Sequence, residues 1–148
     1  MPRTVRFYFD LVCPYSYLES HALESAEDQR AVVVDWLPLA ACLWAGEQGR
    51  LRELRHAFYE AFFCEGEDIA TDPQIARAAE RAGLDPDAAL QAAYAPPRIA
   101  RLAQIRHGAE SAGVRGVPSL LADDGHSHWG MGGIERLLAN EPLVPRPG

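Results

Sequence analysis

The strongest chemical signal in the sequence is a cysteine at a predicted strand-to-helix corner: Cys13, followed by Pro14, Tyr15 and Ser16. A cysteine at such a corner faces the unpaired N–H groups that begin the helix, and their partial positive charge favours the thiolate over the thiol. Pro14 suits the first helical position because its missing donor would have no intrahelical partner there. Cys13 is therefore a candidate nucleophile, and the alternative is an inert, buried cysteine.

Two polar residues near Cys13 each have a chemical and a structural interpretation. Asp10 either caps the corner or carries a proton near the thiol, and capping is the preferred interpretation. The Ser16 hydroxyl either donates a hydrogen bond to the thiolate or satisfies local backbone at the helix start. Both readings of Ser16 stay open at this point, and both residues are candidate site residues.

The remaining cysteines and the paired histidines argue against metal or structural cross-links. Cys13, Cys42 and Cys64 form no CxxC pair and leave one cysteine over, so neither a disulfide scaffold nor a zinc site is expected. Cys42 is a minor candidate for a second, resolving thiol, whereas Cys64 ends an apolar helical stripe and is interpreted as packing. His126 and His128 share a strand face, but without a third ligand we interpret them as exposed hairpin residues.

Composition limits the class of protein. The 148 residues are 48% hydrophobic with a net charge of −7, so we expect one domain with one substantial core. All positive charge is arginine, and no cluster of it predicts nucleic-acid binding. No apolar run approaches the roughly 20 residues that cross a bilayer, and the first residues do not resemble a secretory signal. We therefore expect a cytoplasmic protein that binds neither nucleic acid nor membrane.

The hydrophobic pattern of the first third predicts a strand, a helix and a second strand. Thr4 to Asp10 alternates in polarity as a strand does, and residues 31–37 are typical of a buried strand. Between them, Pro14 to about Arg30 predicts a helix whose core face carries Leu18, Ala22 and Ala26. The order is that of a βαβ unit with a right-handed crossover.

The rest of the sequence predicts a helical block and then two strands and a helix. Helices are expected from Leu51 to about Cys64, after the N-cap acids Asp72 and Asp85, and from about Pro97 to Ala112. Residues 119–122 and 126–129 flank Asp124-Gly125, a dipeptide that favours a two-residue hairpin turn. A terminal helix carries Ile134, Leu137 and Leu138, and residues after Asn140 are expected to form a loose tail.

Three segments carry a resemblance to a known family. Residues 7–18, which contain Cys13 to Ser16, resemble the opening of the DsbA-like thioredoxin family, and residues 57–69 with Asp72-Pro73 resemble the helical domain of one branch. Residues 113–119 resemble that branch's cis-proline segment. The branch contains the 2-hydroxychromene-2-carboxylate isomerases and the kappa-class glutathione transferases. The resemblance implies an α/β, thioredoxin-like fold (βαβ … ββα): one domain over residues 1–148 with an inserted, shortened helical domain at 39–112.

The resemblance also implies roles for individual residues. Cys13 stands where the oxidoreductases have their attacking cysteine and where the isomerases and transferases have a serine that handles the thiol of glutathione. Ser16 stands where an oxidoreductase has its second cysteine, so a mixed disulfide at Cys13 needs an outside thiol or a more distant cysteine for release. Val117-Pro118 stands at the cis-proline, whose preceding backbone pairs with glutathione or an extended peptide. Pro14 and Tyr15 complete the thiol-binding side.

Two departures from the branch affect substrate binding. The stretch before Leu51 is shorter than in relatives, which removes part of the lid over the pocket. Residues 129–134 lack the acid–arginine pair that helps hold the γ-glutamyl end of glutathione. Backbone N–H groups at Gly132 and Gly133, which begin the last helix, are candidates to hold a carboxylate instead.

These observations favour a monothiol oxidoreductase in which the Cys13 thiolate attacks a disulfide and an external small thiol, such as glutathione as cosubstrate, resolves the product. The first alternative is a glutathione-dependent isomerase of the hydroxychromene carboxylate type, with Tyr15, Tyr17 and Trp44 lining the pocket. The second is a non-catalytic thioredoxin-fold binding module. Relatives are commonly dimers, so the resemblance implies a homodimer.

Overall fold

A computed structural model describes residues 2–37 and 40–148, and its sheet has four strands. They are β1 (Arg3–Tyr8), β2 (Val32–Leu37), β3 (Ser119–Ala122) and β4 (Ser127–Trp129), in the spatial order β2-β1-β3-β4. β1 pairs in parallel with β2, and the β1–β3 and β3–β4 pairs are antiparallel. The mixed α/β architecture predicted from the sequence is confirmed.

Seven α-helices occur within the described residues. They are α1 (Pro14–Asp28), α2 (Ala40–Glu47), α3 (Leu51–Tyr59), α4 (Asp72–Arg81), α5 (Pro86–Tyr94), α6 (Pro96–Ser111) and α7 (Gly133–Leu138), and a π-helical turn, Glu60–Cys64, continues α3. The chain divides into two compact units. The sheet unit comprises residues 1–37 and 105–148, and the helical unit comprises residues 38–104, so the last turns of α6 belong to the sheet unit. None of the described helices has the length and apolarity needed to cross a bilayer.

The core of the sheet unit is built on β1, its interior strand. Val5 and Phe7 are fully buried, and Phe7 pairs with Trp36 on one side and Leu120 on the other. The Phe7 ring meets the edge of Trp36 at 5.4 Å between centroids and stacks on Phe9 at 5.7 Å. Aromatic contacts of this geometry add about 1 kcal/mol each beyond area burial, so they hold β1 firmly up to the loop that carries Cys13.

The prediction that β2 is fully buried is wrong, because β2 is an edge strand. Val32 and Val34 face the core, whereas Val33 and Asp35 face solvent. Glu27 of α1 covers the exposed edge: its carboxylate accepts hydrogen bonds from the Val34 N–H at 3.2 Å and the Trp36 indole N–H at 3.1 Å. An internal acceptor at an edge strand satisfies a backbone donor that would otherwise be open to pairing.

The predicted core face of α1 is confirmed only in part. Ala26 is buried as predicted, but Ala22 is only partly buried and Leu18 is half exposed. The buried face also carries Leu23 and four polar residues: Ser16, Glu19, Ser20 and Glu24. Buried polar groups are stable only when they are hydrogen-bonded, and Ser20 donates to the Tyr17 carbonyl at 2.7 Å. The partners of Ser16 and Glu19 belong to the candidate site described below.

The helical unit confirms some sequence signals and corrects others. Asp85 is the N-cap of α5 and accepts from the Ala88 N–H at 2.7 Å, as predicted. The cap of α4 is Thr71, so Asp72 lies within the first turn rather than before it. Helix α2 has no counterpart in the predictions, because its residues are almost uniformly apolar and show no helical periodicity.

The hairpin and the C-terminal segment differ from the predictions as well. The β3–β4 loop has three residues, since the Ala122 N–H donates to the His126 carbonyl and the Gly125 N–H returns to the Ala122 carbonyl. Gly125 takes a φ of 86°, which suits glycine in a bulged hairpin. The segment after Asn140 is not loose: Val144 hydrogen-bonds along β4, to the Trp129 N–H and to the His128 ring.

Candidate active site

Cys13 is itself the N-cap of α1. Its backbone is extended, with φ −90° and ψ 117°, and its Sγ accepts a hydrogen bond from the Ser16 N–H at 3.5 Å. The Tyr17 N–H donates to the Cys13 carbonyl at 3.0 Å, which closes the first helical turn. Cys13 is partly buried, and its sulfur lies against the helix start. An N–H donor bonded to sulfur stabilises the thiolate more than the thiol.

Asp10 and Ser16 shape the loop below the sulfur. The Asp10 carboxylate accepts from the Val12 N–H at 3.1 Å, and its carbonyl accepts from the Cys13 N–H at 3.3 Å. The Ser16 hydroxyl is fully buried and accepts from the Asp10 N–H at 3.3 Å. These contacts correspond to the capping interpretation of Asp10 and to the local backbone interpretation of Ser16.

The Val117-Pro118 loop lies beside this corner. The peptide bond between the two residues is cis, and Pro118 is buried. Ser119 pairs with Tyr8 at the end of β1, so the register places Pro118 at the same end of the sheet as the loop from Phe9 to Cys13. The Pro118 carbonyl accepts from the Gly130 N–H at 2.9 Å, which fixes the loop to the start of the β4–α7 connection.

The backbone groups of Val117 are unpaired. The residue is 39% exposed, and among the described residues neither its N–H nor its C=O forms a hydrogen bond. A donor and an acceptor on one exposed residue can pair with an extended ligand as a neighbouring strand would.

Several large apolar residues of the sheet unit are exposed. Tyr15 is 60% exposed, directly after Pro14, and the others are Val12, Leu18, Trp129 and Met131. Val12 and Tyr15 flank Cys13 in the sequence, so exposed apolar residues lie next to the candidate nucleophile.

The N–H groups that begin α7 already hold a carboxylate, and it belongs to the chain. Glu19 of α1 is 2% exposed, and it accepts from the Gly132 N–H at 2.9 Å and from the Ile134 N–H at 3.3 Å. Gly133 is close-packed, because a Cβ there would lie 3.2–3.3 Å from His128 and Leu120. The expectation that Gly132 and Gly133 hold a ligand carboxylate is therefore corrected: α1 and α7 are joined internally through these groups.

Burial dominates the ionisation of Glu19. Desolvation raises the pKa of this carboxyl, and the backbone N–H donors of α7 lower it only in part. The sequence contains a weak signal for Glu19, since Ser16-Tyr17-Leu18-Glu19 has the spacing of a capping box, but its partners lie more than a hundred residues away.

The two other cysteines occupy opposite environments. Cys42 is completely buried in α2, and desolvation raises the pKa of its thiol to about 12. Cys64 ends the π-helical turn and is exposed, which corrects its interpretation as a packing residue. The three thiols are free, with no disulfide between them.

His128 is a structural residue that the sequence did not reveal. It is buried, its Nε2 lies 2.9 Å from the Met131 carbonyl, and its Nδ1 accepts from the Val144 N–H at 3.1 Å. These partners assign the proton to Nε2 and join β4, the β4–α7 loop and the C-terminal segment. The prediction of an exposed hairpin histidine is wrong for His128 and confirmed for His126, which is largely exposed beside Asp124.

A cavity of about 310 Å³ lies at the other end of the sheet, near the start of β1 and the β3–β4 turn. Its lining includes Arg3, His126, Leu137 and Glu141 and none of the site residues predicted from the sequence. The candidate site is therefore the open corner that contains Cys13 rather than this cavity.

The structure combines three features: a four-stranded sheet, a cysteine that caps the first helix and a cis-proline at the end of the neighbouring strand. Together they define a thioredoxin-like protein with a helical insertion. The profile of the DSBA-like thioredoxin domain matches residues 37–140, and the chain belongs to that family. The matched range begins after the Cys13 corner. No curated protein matches the sequence.

Solved structures share the fold at low identity. A probable DsbA oxidoreductase from Streptomyces coelicolor superposes with a TM-score of 0.77 at 16% identity, over 99% of this chain and 94% of that one. A thioredoxin-like oxidoreductase from Silicibacter pomeroyi gives 0.75 at 24% identity, over 93% and 83%. A 2-hydroxychromene-2-carboxylate isomerase gives 0.68 at 18% identity, over 93% and 92%. These similarities establish the fold.

Proposed function

We propose that the protein is a monothiol thiol–disulfide oxidoreductase whose nucleophile is Cys13. The thiolate attacks one sulfur of a disulfide: a new bond forms between Cys13 and that sulfur, the original S–S bond breaks, and the other half leaves as a thiolate with the electron pair. The observation that carries the proposal is the Sγ of the partly buried Cys13, which accepts a hydrogen bond from the Ser16 N–H at the start of α1.

The Val117 backbone supplies the binding half of the proposal. Its unpaired N–H and C=O lie at the same end of the sheet as the Cys13 corner, where an extended disulfide-bearing molecule would pair with them. Tyr15 and its apolar neighbours would cover the rest of such a molecule. These groups suit glutathione as well as a peptide segment of a protein.

We assign release of the mixed disulfide to a second thiol from outside the protein. Position 16 carries a serine hydroxyl rather than a thiol. The Cys42 thiol is fully buried and its pKa is raised, so it does not supply an attacking thiolate either. A small thiol of the cytoplasm, such as glutathione, attacks the Cys13-linked sulfur and restores the Cys13 thiolate.

A glutathione-dependent isomerase is the second candidate. It is favoured by the similarity to the hydroxychromene carboxylate isomerase, which extends over 92% of that chain, and by an open corner with an exposed aromatic residue, Tyr15. In this reaction glutathione itself adds to the substrate and leaves again, so the residue at position 13 positions a thiol and need not be one.

The test is incubation of the reduced protein with oxidised glutathione, followed by intact-mass measurement and peptide mapping. We expect one glutathione attached to Cys13, stable until a reducing thiol is added. Cys64→Ser serves as the matched control, because Cys64 is the other accessible thiol. An adduct that forms only on Cys64 contradicts the proposal.

The same protein distinguishes the second candidate. Cys13→Ser should abolish disulfide exchange, whereas an isomerase should retain substantial turnover of 2-hydroxychromene-2-carboxylate with reduced glutathione. Isomerisation by both forms, with no exchange by the wild type, would replace the first candidate with the second.

A further inference from the structure

The C-terminal segment carries an arginine to the cis-proline loop. Val144 anchors the segment on β4 through hydrogen bonds to the Trp129 N–H, at 2.9 Å, and to the His128 ring. Two residues further on, the Arg146 guanidinium lies 5.0 Å from the centre of the Trp129 ring, and its Nη1 donates to the Arg115 carbonyl at 2.8 Å. These two interactions, stacking on the indole and a hydrogen bond to a carbonyl, restrict the guanidinium to one position.

Gly116 makes this position possible. A Cβ at residue 116 would lie 2.8 Å from the Arg146 Nη1 and 3.2 Å from the Trp129 Nε1. The guanidinium therefore occupies the space that a side chain at residue 116 would fill. Residue 116 directly precedes Val117, whose N–H and C=O are unpaired among the described residues.

The positive charge at this loop is not neutralised within the described structure. Arg146 and Arg115 are both exposed, and neither lies within ion-pair distance of a carboxylate among the described residues. The chain as a whole carries a net charge of −7, so an arginine fixed at this loop without an acidic partner contrasts with the protein's general charge. A fixed cation beside a binding site attracts anions and repels cations.

We propose that Arg146 forms a carboxylate-binding subsite that selects anionic thiols and disulfides for the Cys13 site; the inference rests on the proposed function. A bound disulfide that pairs with the Val117 backbone would place a carboxylate beside Gly116, where the guanidinium offers its remaining N–H donors. The arginine comes from the C-terminal segment rather than from residues 129–134, which contain no cation. The substrate class is a small, carboxylate-bearing disulfide.

The test compares three disulfides that differ in charge. Oxidised glutathione is anionic, hydroxyethyl disulfide is neutral and cystamine is cationic. The second-order rate constant for adduct formation at Cys13 is measured for each by intact mass, in a Cys64→Ser background at low ionic strength. Arg146→Gln should slow the reaction with oxidised glutathione about fivefold, leave hydroxyethyl disulfide within about twofold and not slow cystamine. Salt at about 0.5 M should remove most of the difference.

Arg30→Gln is the matched control. It removes the same charge from an exposed arginine, but Arg30 follows the C-terminal end of α1, and a helix of 15 residues separates that end from Cys13 by about 22 Å. We expect unchanged rates for all three disulfides.

Each other result overturns the inference. Equal slowing of all three disulfides by Arg146→Gln would mean that the arginine supports the fold of the loop. No slowing with oxidised glutathione would mean that it binds nothing there, and the same slowing by Arg30→Gln would reduce the effect to net charge. A wild-type Cys13 that reacts with none of the disulfides would overturn the proposed function and, with it, this subsite.

Discussion

Cys13 and Cys42 are the same residue type in two regions that treat sulfur in opposite ways. In the sheet unit, Cys13 caps a helix, accepts an N–H hydrogen bond and is only partly buried. In the helical unit, Cys42 lies in the apolar helix α2 with no exposed surface.

Because both residues are cysteines, the expected difference in thiol reactivity comes from burial and hydrogen bonding rather than from residue type. Burial withholds solvation from the Cys42 thiolate and raises the pKa to about 12, and the charge of Arg55 opposes this only in part. A thiol with so high a pKa stays almost entirely protonated at pH 8. At Cys13 the same sulfur has a backbone donor, and the residue is only partly buried.

Removing each sulfur in turn should have the largest effect on the difference between Cys13 and Cys42. In a Cys64→Ser background, Cys13→Ser should lower the rate of reaction with oxidised glutathione by at least about a thousandfold, because a serine hydroxyl is not ionised at neutral pH. Cys42→Ala should leave that rate within about twofold and lower the free energy of unfolding by about 1 kcal/mol through the lost buried sulfur. Adduct assays by mass and urea denaturation measure the two effects. Full exchange activity in Cys13→Ser would remove Cys13 from the mechanism.

Alkylation rates compare the reactivity of the three thiols in the wild-type protein. With iodoacetamide at pH 8, Cys13 and Cys64 should react in the native protein, whereas Cys42 should react at least about a hundredfold more slowly, as its burial and raised pKa require. Peptide mapping against time gives all three rates in one sample, and urea-unfolded protein is the control in which Cys42 should become reactive. Equal native rates at Cys13 and Cys42 would contradict the environments described.

Local patterns allowed much of the fold and the site to be predicted from the sequence. β3 was predicted with its observed bounds, Asp85 with its capping role, and Cys13 at the start of a helix, because each depends on neighbours within a few residues. The buried face of α1 could not be predicted, since Glu19 is stabilised by N–H groups 113 residues away. Arg146 escaped prediction for a related reason: the segment that carries it pairs through backbone groups, which leave little trace in sequence.

A second thiol at position 16 should convert the corner from a one-thiol into a two-thiol site. In Ser16→Cys the new sulfur lies within the first turn of α1, where the Ser16 N–H already contacts the Cys13 Sγ. Proximity then lets it attack the mixed disulfide in the same molecule. We expect the glutathione adduct to fall at least about tenfold and to be replaced by protein two hydrogen atoms lighter than the reduced form.

Ser20→Cys is the control for this variant. It adds a thiol to the same helix, but seven residues from Cys13, which is about 10 Å along the axis. The adduct should persist in this variant as in the wild type. Persistence in Ser16→Cys as well would show that the two positions do not approach as disulfide geometry requires.

The smallest expected effect tests whether burial governs a carboxyl as it governs Cys42. Because the pKa of Glu19 is raised in the folded protein, the proton is held more tightly there than in the unfolded chain, whose value is about 4.5. The stabilising contribution is therefore fully present below that value and is lost as pH rises through the folded pKa. Glu19→Gln does not titrate, so the unfolding free energy of the wild type minus that of the variant should fall as pH rises above about 4.5.

Urea denaturation at a series of pH values measures this difference, with Glu110→Gln on the exposed face of α6 as the control that should leave the wild-type slope unchanged. A difference that rises over the same range would mean that the α7 N–H donors outweigh burial and stabilise the ionised carboxylate. Glu19 would then resemble Cys13, bonded by the start of a helix, more than it resembles Cys42, isolated from water.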